Sequence, residues 1–596
     1  MRRFAFVLLF FFLSFPLLGQ TPTGSSPKTL AFTHVAIIDP ASGSTRSDQT
    51  VVIARDRITA VGEARAVRIP EGAQVLNASG KFLIPGLWDM HVHWYDKDYL
   101  PLFVANGVTG IRIMWGMPLH HEFRKRIEAG EWPGPRMVIA SALIDGPVYF
   151  WPGSASVHTP QEAREIVDRE QQAGADFIKE YSFLPRDLYF AVAEESKKLG
   201  IPFGGHVPMA ISAEEASDAG QKSMEHLIGI LNSCSSREQE LLQAGQADLA
   251  DILASGKVTF DSSRLHQMRD VALDTYDPDR AARLFARFKK NGTWQCPTLT
   301  VNRALGYLND PSFRNDARLK YLSRSVRASW APESYPVTAD KKPEDFVYLR
   351  REFQKDLELV ATMNRAGVGI IAGTDVLNAF CFPGFSLPDE IELYVKAGLS
   401  PLDALRTATS NPALFLGREK DLGSVEAGKF ADLVLLDADP LIDINNVRKI
   451  AAVVANGRFY SREKLDDMLA KIEALASRKS IADALSQTIS SEGIDAAVKQ
   501  YHEMQKSQAS AYDFSEDELN TLGYQLIRAN NFKQAIRIFQ LNVEAYPQSG
   551  NVYDSLAEAY MDNGDKQLAI DNYRRSLELD PSNKNAVDML KKLQAP

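Results

Sequence analysis

The stretch Leu83-Ile84-Pro85-Gly86-Leu87-Trp88-Asp89-Met90-His91-Val92-His93 decides the fold class of this chain. An apolar run that ends in two histidines two residues apart predicts a buried strand with both imidazoles on one face. Four further apolar runs end in metal-binding residue types: Lys179 (175–179), His206 (204–207), His226 (223–226) and Asp375 (370–375). Functional side chains at successive strand ends are typical of a parallel barrel.

Strands and helices alternate from about residue 83 onward. Thr159 before Pro160 is a helix start, and further helices are predicted at 188–199 and 212–219. This rhythm predicts an α/β fold, a distorted (β/α)8 TIM-type barrel over residues 83–415. Residues 293–299 can supply the seventh strand. The helices at 280–290 and 343–364 are predicted to be insertions over the barrel mouth that shape a substrate pocket.

The two flanks of the barrel carry short strands with turns. Residues 28–82 and 416–460, the latter with Asn456-Gly457 as a hairpin signal, are predicted to form one small composite β-sandwich. Residues 461–480 are rich in Lys, Asp and Glu and are predicted to be a helical connector.

The last part of the chain is a repeat. Ala535 and Ala569, Phe539 and Tyr573, and Pro547 and Pro581 are each 34 residues apart. That period predicts an all-α tetratricopeptide repeat domain over 481–596, which would bind a protein or peptide or mediate self-association. Two clear repeats are marginal for independent stability, so we expect this domain to dock on the barrel or on a second subunit.

Composition excludes some partners. A chain of 596 residues is expected to form several domains. Its net charge of -9 and the lack of a basic tract argue against a nucleic-acid partner. Cys234, Cys296 and Cys381 have no metal-type spacing. Buried free thiols are favoured over one long-range disulfide.

The N-terminus predicts export. Met1-Arg2-Arg3 is basic, residues 4–18 are almost wholly apolar, and Gly19-Gln20-Thr21-Pro22 breaks the run. These features are typical of a signal peptide over residues 1–20, which is short for a membrane span. We therefore expect a secreted or periplasmic protein that has no membrane contact after signal removal. A retained anchor is the alternative.

The strand-end residues predict a two-metal hydrolytic site. Two divalent ions can lower the pKa of a bound water from about 15.7 toward 7 and polarise a carbonyl. The ligand types favour zinc, and the predicted ligands are His91, His93, Lys179, His206, His226 and Asp375. Without Lys179 the set lacks a bridging anionic oxygen, which N6-carboxylation of the neutral, buried lysine amine would supply. Asp375 would also accept a proton from the metal-bridging hydroxide and pass it to the leaving group.

Three other features have two interpretations each. Tyr181 can stabilise an oxyanion or merely pack. Arg112 can bind a substrate carboxylate or form a structural ion pair, the second being favoured. Residues 149–152 (YFWP) can line an apolar pocket or belong to the core. The remaining histidines are interpreted as structural or surface residues: His34, His120, His121, His158, His266 and His502.

Together these motifs resemble the amidohydrolase superfamily, in its branch of imidazolonepropionase-like and prolidase-like binuclear enzymes. The matching segments are 85–93 (PGLWDMHVH), 174–179 (GADFIK), 205–208 (GHVP), 225–226 (EH), 372–375 (AGTD) and 423–437. The resemblance covers roughly residues 28–460 and implies the barrel with its β-sandwich, the six ligands and the carboxylated Lys179. Many relatives have His where this chain has Pro388, so a group-specific substrate contact there is not implied.

The predicted function is hydrolysis of an amide-type C–N bond by an exported metal enzyme. The substrate classes left open are a dipeptide, an N-acyl amino acid and a cyclic amide. Two alternatives remain at this point: a lactonase or other esterase using the same metal site, and a catalytically inactive barrel that serves as a scaffold for the repeat domain.

Overall fold

The strands form two large sheets, one from the flanks and one from the middle of the chain. The computed structural model describes residues 29–94, 96–151, 153–259, 262–580 and 583–594. Its strands are β1 (Thr29–Asp39), β2 (Ser44–Ala54), β3 (Arg57–Glu63), β4 (Gln74–Asn77), β5 (Phe82–Pro85), β6 (Leu87–Val92), β7 (Val108–Ile113), β8 (Arg136–Asp145), β9 (Ala155–Ser156), β10 (Phe177–Glu180), β11 (Phe203–Gly205), β12 (Ser223–Glu225), β13 (Trp294–Cys296), β14 (Leu433–Leu436), β15 (Ile450–Ala455), β16 (Arg458–Ser461), β17 (Lys479–Ser480) and β18 (Tyr512–Asp513).

The flank sheet joins the two ends of the barrel region. Its strand order is β16-β15-β14-β5-β1-β2-β3, with β4 paired to β1. The link between the flanks is the antiparallel pair β14 and β5, in which Leu433 lies opposite Pro85 and Leu436 opposite Phe82. Because β5 runs directly into β6, this sheet fixes the start of the histidine-bearing strand.

The second sheet is the barrel. Its order β13-β12-β11-β10-β8-β7-β6 is parallel at every described pair. Residues 370–376, here called the closing segment, lie between its two ends. Parallel bridges join Ile370 to Gln295 and Val376 to Val92. The seven strands and this segment form the eight positions of the barrel wall. As predicted, β13 is the seventh barrel strand.

Helices surround and cover the barrel. They are α1 (Leu100–Ala105), α2 (Pro118–Ala129), α3 (Pro160–Gln172), α4 (Arg186–Leu199), α5 (Ala213–Asp218), α6 (Ile230–Ser233), α7 (Glu238–Ser255), α8 (Ser262–Asp274), α9 (Pro278–Asn291), α10 (Leu299–Tyr307), α11 (Pro311–Arg314), α12 (Arg324–Ser329), α13 (Pro343–Ala366), α14 (Ser386–Ala397), α15 (Pro401–Thr407) and α16 (Ser410–Phe415). Thr159 caps α3 as predicted, with its hydroxyl accepting the Glu162 N–H at 3.2 Å. Short 3₁₀ helices occupy Lys97–Tyr99, Ala317–Tyr321 and Ile444–Arg448.

The cover over the barrel mouth differs in part from the prediction. Helix α13 lies over the mouth as expected, together with α7, α8, α10 and α12. The prediction for residues 280–290 is wrong, because they belong to α9, which packs against α5 in the outer helix layer. The apolar face of α9, formed by Ala281, Leu284, Phe285 and Phe288, is buried there.

The chain continues after β16 as a helical array. Helix α17 (Arg462–Ala476) packs on α1 and on the 3₁₀ helix Ala317–Tyr321. The array then comprises α18 (Ile481–Glu492), α19 (Ile494–Ser507), α20 (Glu516–Arg528), α21 (Phe532–Ala545), α22 (Gly550–Asp562), α23 (Lys566–Leu579) and α24 (Lys584–Gln594). Its apolar residues form clusters separate from the barrel core. An ion pair between Arg324 of α12 and Asp483 of α18 connects it to the barrel cover.

The predicted signal peptide, residues 1–20, lies outside the described residues. Among those described, no helix combines the length and apolar character needed to cross a membrane.

Candidate active site

The six predicted ligands lie at the carboxyl ends of the barrel strands. His91 and His93 come at the end of β6, Lys179 lies in β10, His206 and His226 follow β11 and β12, and Asp375 lies in the closing segment. The imidazole rings form a chain of contacts, with centroid separations of 5.1 Å for His91–His93, 4.5 Å for His91–His226 and 4.9 Å for His206–His226. The barrel therefore brings residues from distant parts of the sequence to one centre.

Asp375 lies between three of the histidines. Its Oδ1 is 3.1 Å from His93 Nε2 and 3.3 Å from His91 Nε2, and its Oδ2 is 3.8 Å from His226 Nδ1. His91 Nε2 and His93 Nε2 are themselves 3.2 Å apart, which is the convergence expected from their two-residue spacing.

Left-handed backbone at four non-glycine residues shapes this centre. The φ angles of His226, Leu227 and Asp375 are 61°, 58° and 58°, and Thr298 has 48°. Such conformations are costly for residues with a Cβ and cluster at functional sites. Here they turn the chain at the strand ends so that the side chains of His226 and Asp375 face the centre.

Burial shifts three of the four histidines, and Lys179, toward their neutral forms. It lowers the pKa of His93, brings that of His226 to about 3, and places that of His206 well below its ordinary value. Burial likewise lowers the pKa of the Lys179 amine. The Asp375 carboxyl is buried too, but His226 and His91 outweigh that burial and hold its pKa well below the usual range. A carboxylate among imidazoles is a donor set suited to zinc.

Three buried polar atoms of this centre have no hydrogen-bond partner among the described residues: His93 Nδ1, Lys179 Nζ and Asp375 Oδ1. Buried polar groups are normally satisfied, and an exception calls for an explanation such as an ion. A carboxylate oxygen of Asp375 and ring nitrogens of His91 and His226 also lie within 4.8 Å of one another, a spacing at which one metal ion could be held. The residues present therefore fit a metal centre.

Three histidines are oriented by polar neighbours. His91 Nδ1 is 2.8 Å from Glu225 Oε2, His206 Nδ1 is 2.7 Å from Ser182 Oγ, and His226 Nδ1 is 2.7 Å from Thr298 Oγ1. Metal-binding histidines usually have such partners, which fix the ring orientation. Ser182 and Thr298 were not predicted from the sequence, and Glu225 was noted only as the neighbour of His226.

The centre opens into a cavity of about 880 Å³. Tyr181 lines it, with its ring 4.0 Å from that of His206 and its hydroxyl accepting a hydrogen bond from Trp151 Nε1 at 2.8 Å. Trp151 also lines the cavity, whereas Phe150 packs in an apolar cluster, so these two residues divide the two predicted roles between them. The opposite walls come from the cover, mainly through the apolar residues Leu241, Leu265, Met268, Val326, Trp330 and Leu349.

Arg112 and Pro388 do not line the cavity. Arg112 is buried in the barrel and pairs with Glu225 at 2.9 Å, which is the structural interpretation favoured above. Pro388 is buried in helix α14 rather than in the cavity wall.

The other histidines and the cysteines occupy separate places. His34 of β1 pairs with Asp48 of β2 at 2.7 Å in an exposed position, and His266 pairs with Asp345 at 2.6 Å. His120 is buried in the core, where its Nε2 contacts the backbone carbonyl of Trp94. His121, His158 and His502 contact Arg124, Ser156 and Tyr501, respectively. All three cysteines are buried and free, as favoured from the sequence.

Comparison with known proteins agrees with this architecture. A stretch of 77 residues is 44% identical to imidazolonepropionase of Shouchella clausii (strain KSM-K16), covering 13% of this chain and 17% of that relative. A solved bottromycin amidohydrolase superposes with a TM-score of 0.60 at 24% identity, over 76% of this chain and 91% of the other. A putative prolidase from Bifidobacterium longum gives 0.50 at 23% identity, over 75% and 100%. These structural likenesses concern the fold.

Family profiles settle the membership. The tetratricopeptide repeat profile matches residues 550–583, which confirms the repeat predicted from the 34-residue period. The amidohydrolase family profile matches residues 82–460. This range contains the barrel and, from the flank sheet, strands β5, β14 and β15 and most of β16. The predicted fold class and the resemblance are thereby confirmed. A profile match over more than half of its length shows that this chain belongs to the amidohydrolase family.

Proposed function

We propose that this protein is a metal-dependent hydrolase of amide-type C–N bonds. The observation that carries the proposal is the convergence of four imidazoles, one carboxylate and one buried amine at the strand ends. Four of these residues, His93, His206, His226 and Asp375, line a cavity large enough for a small substrate. Membership in the amidohydrolase family and the likeness to a prolidase fold support it. The matched imidazolonepropionase segment spans only 17% of that relative, so the reaction itself is a proposal.

Two divalent ions, with zinc favoured by the ligand types, would be held by the predicted six residues His91, His93, Lys179, His206, His226 and Asp375. When bound, such ions lower the pKa of water and polarise a carbonyl oxygen. Lys179 would join the set as a carbamate, since its buried amine is displaced toward the neutral form that reacts with carbon dioxide.

Asp375 is proposed to move the proton. Despite burial, its contacts with His226, His91 and His93 hold the pKa of its carboxyl well below the usual range, and it lines the cavity. It can therefore accept a proton from the attacking water at one oxygen and release it to the leaving nitrogen.

Tyr181 is proposed to stabilise the developing oxyanion. Burial raises the pKa of its phenol, which keeps the hydroxyl protonated. Trp151 Nε1 donates to the oxygen of that hydroxyl at 2.8 Å, so the phenolic hydrogen is available for a substrate oxygen.

The cavity favours a small, partly apolar amide. Apolar walls from the cover face the polar floor, which suits a dipeptide, an N-acyl amino acid or a cyclic amide. The repeat domain is proposed to bind a protein or peptide, or a second copy of the chain. Export is proposed from residues 1–20, and N-terminal sequencing of protein recovered outside the cytoplasm tests it by showing whether these residues are removed.

Metal analysis combined with a substrate panel tests the proposed activity. The purified chain should hold about two zinc ions and hydrolyse a member of a dipeptide, acyl-amino-acid and cyclic-amide panel. Lys179→Ala should lose both metal and activity. Lys222→Ala is the matched control, because Lys222 is a partly buried lysine 4.9 Å from the Phe415 ring, outside the ligand set. Absence of bound metal in the wild type would refute the proposal, and turnover of lactones alone would replace the amide assignment with an ester one.

A further inference from the structure

Arg112 is the largest charged side chain buried inside the barrel. It is 1% exposed and lies on β7, next to the histidine-bearing strand β6. Its Nε donates to the Met90 carbonyl at 2.6 Å, directly before His91, and its Nη2 donates to Glu225 Oε1 at 2.9 Å. One guanidinium therefore holds both the backbone that carries His91 and the carboxylate that contacts the ring of His91.

Glu225 completes the connection. Its Oε2 is 2.8 Å from His91 Nδ1, and both side chains are fully buried. Its Oε1 also accepts a hydrogen bond from Ser223 Oγ at 2.6 Å, and Arg112 Nη1 donates to that same hydroxyl at 3.0 Å. Both carboxylate oxygens are thus engaged by side chains of three barrel strands, β6, β7 and β12.

These contacts determine which His91 nitrogen faces the centre. A carboxylate that is held by an arginine and a hydroxyl acts as an acceptor, so His91 Nδ1 carries the proton. The lone pair of His91 is then on Nε2, the atom that lies near His93 and Asp375.

A metal ion bound by Glu225 itself is the competing interpretation. His91, Glu225 and Cys296 also place potential ligand atoms within 4.8 Å of one another. Arg112 and Ser223 already occupy Glu225 Oε1, and His91 occupies Oε2. The carboxylate is therefore committed to orienting its neighbours.

We infer that Arg112, Glu225 and Ser223 form a positioning triad that presents His91 Nε2 to the metal centre. This inference rests on the proposed function. It assigns Arg112 to the support of a ligand and leaves substrate recognition to the cavity walls. None of the three residues touches the reacting atoms, so their removal should weaken metal binding through His91.

A second buried ion pair provides a matched control. Arg136 and Asp432 are 2.5 Å apart, with side-chain exposures of 15% and 4%, and join β8 to the flank sheet. Arg136 lies against the Phe430 ring at 3.7 Å, much as Arg112 lies near the Phe177 and Phe415 rings at 5.3 and 5.0 Å. Disrupting this control pair should cost stability alone, since it has no contact with a ligand histidine among the described residues.

The test is zinc affinity of the full chain, measured by competition with a chromophoric chelator, together with the melting temperature of the metal-free protein. Glu225→Gln and Arg112→Met should bind zinc about 10- to 100-fold more weakly than the wild type. Ser223→Ala keeps the ion pair and should show a smaller loss of zinc affinity. If the other two variants do not fold, the zinc affinity of Ser223→Ala tests the positioning role. Asp432→Asn should melt earlier but bind zinc as the wild type does.

Two results would overturn the inference, and they are distinguishable. If the wild type binds zinc and the folded triad variants bind it equally well, the positioning role fails while the proposed function stands. If the wild type binds no zinc, both fail.

Discussion

Asp145 should make the barrel sensitive to pH near its catalytic face. It is the last residue of β8, fully buried, and its Oδ1 accepts the N–H groups of Gly146 at 3.0 Å and Phe183 at 2.7 Å. Its Oδ2 has no partner among the described residues. Burial raises the pKa of this carboxyl from 3.8 to about 8.

The sign of the effect follows from that shift. Between pH 3.8 and about 8 the folded chain keeps a proton that the unfolded chain has lost. The free energy of unfolding therefore falls by about 1.4 kcal/mol per pH unit over this range and stops falling above it. Asp145→Asn keeps a neutral acceptor for both N–H groups and has no such dependence. Its stability relative to the wild type should increase by about 4 kcal/mol between about pH 5 and about pH 8.

Urea unfolding of both proteins at these two pH values measures the difference. Asp443→Asn serves as control, because Asp443 accepts a backbone N–H at 2.9 Å from an exposed position. A change of less than about 1 kcal/mol in the Asp145 comparison would refute the reasoning.

Three further predictions concern the centre and the repeat domain. Asp375→Asn should lower kcat/KM by about 10²- to 10⁴-fold, and measured metal content will separate lost proton transfer from lost ligation. Removing metal with a chelator should speed hydrogen exchange in residues 88–93 and 370–376 more than in the flank sheet; equal changes in both regions would contradict this. A fragment of residues 480–596 should melt broadly, because two clear repeats are few for an independent domain. A sharp monomeric melt would remove the reason to expect docking.

The convergence of the candidate ligands was predictable from the sequence because strand periodicity and residue type are local signals. The spacing of His91 and His93 placed both on one face, and the structure puts their Nε2 atoms 3.2 Å apart. Glu225 escaped prediction because strict alternation would point it away from His226. The left-handed backbone at His226, with φ of 61°, breaks that alternation, so both side chains enter the barrel interior.

The sequence could not predict which helices lie over the barrel mouth, for a different reason. An amphipathic pattern such as that of residues 280–290 shows that a helix has a buried face but does not name the surface it packs against. Helix α9 buries Phe285 and Phe288 in the outer layer, while α7 and α8 lie over the cavity. Such tertiary choices depend on contacts between segments far apart in sequence.

Two of the candidate ligands, His91 and Asp375, lie where β6 meets the closing segment, which is here called the seam of the barrel. Between β6 and the closing segment the described pairing consists of an isolated bridge and a few hydrogen bonds, such as Met90 N–H to the Ala372 carbonyl and Asp375 N–H to the His91 carbonyl, both at 2.8 Å. Asp89 adds a link by accepting from the Thr374 hydroxyl at 2.6 Å. His91 and Asp375 stand on opposite sides of this sparsely paired seam. An ion bound by both His91 and Asp375 would therefore cross-link β6 to the closing segment. The proposed metal centre would in this way also complete the closure of the barrel.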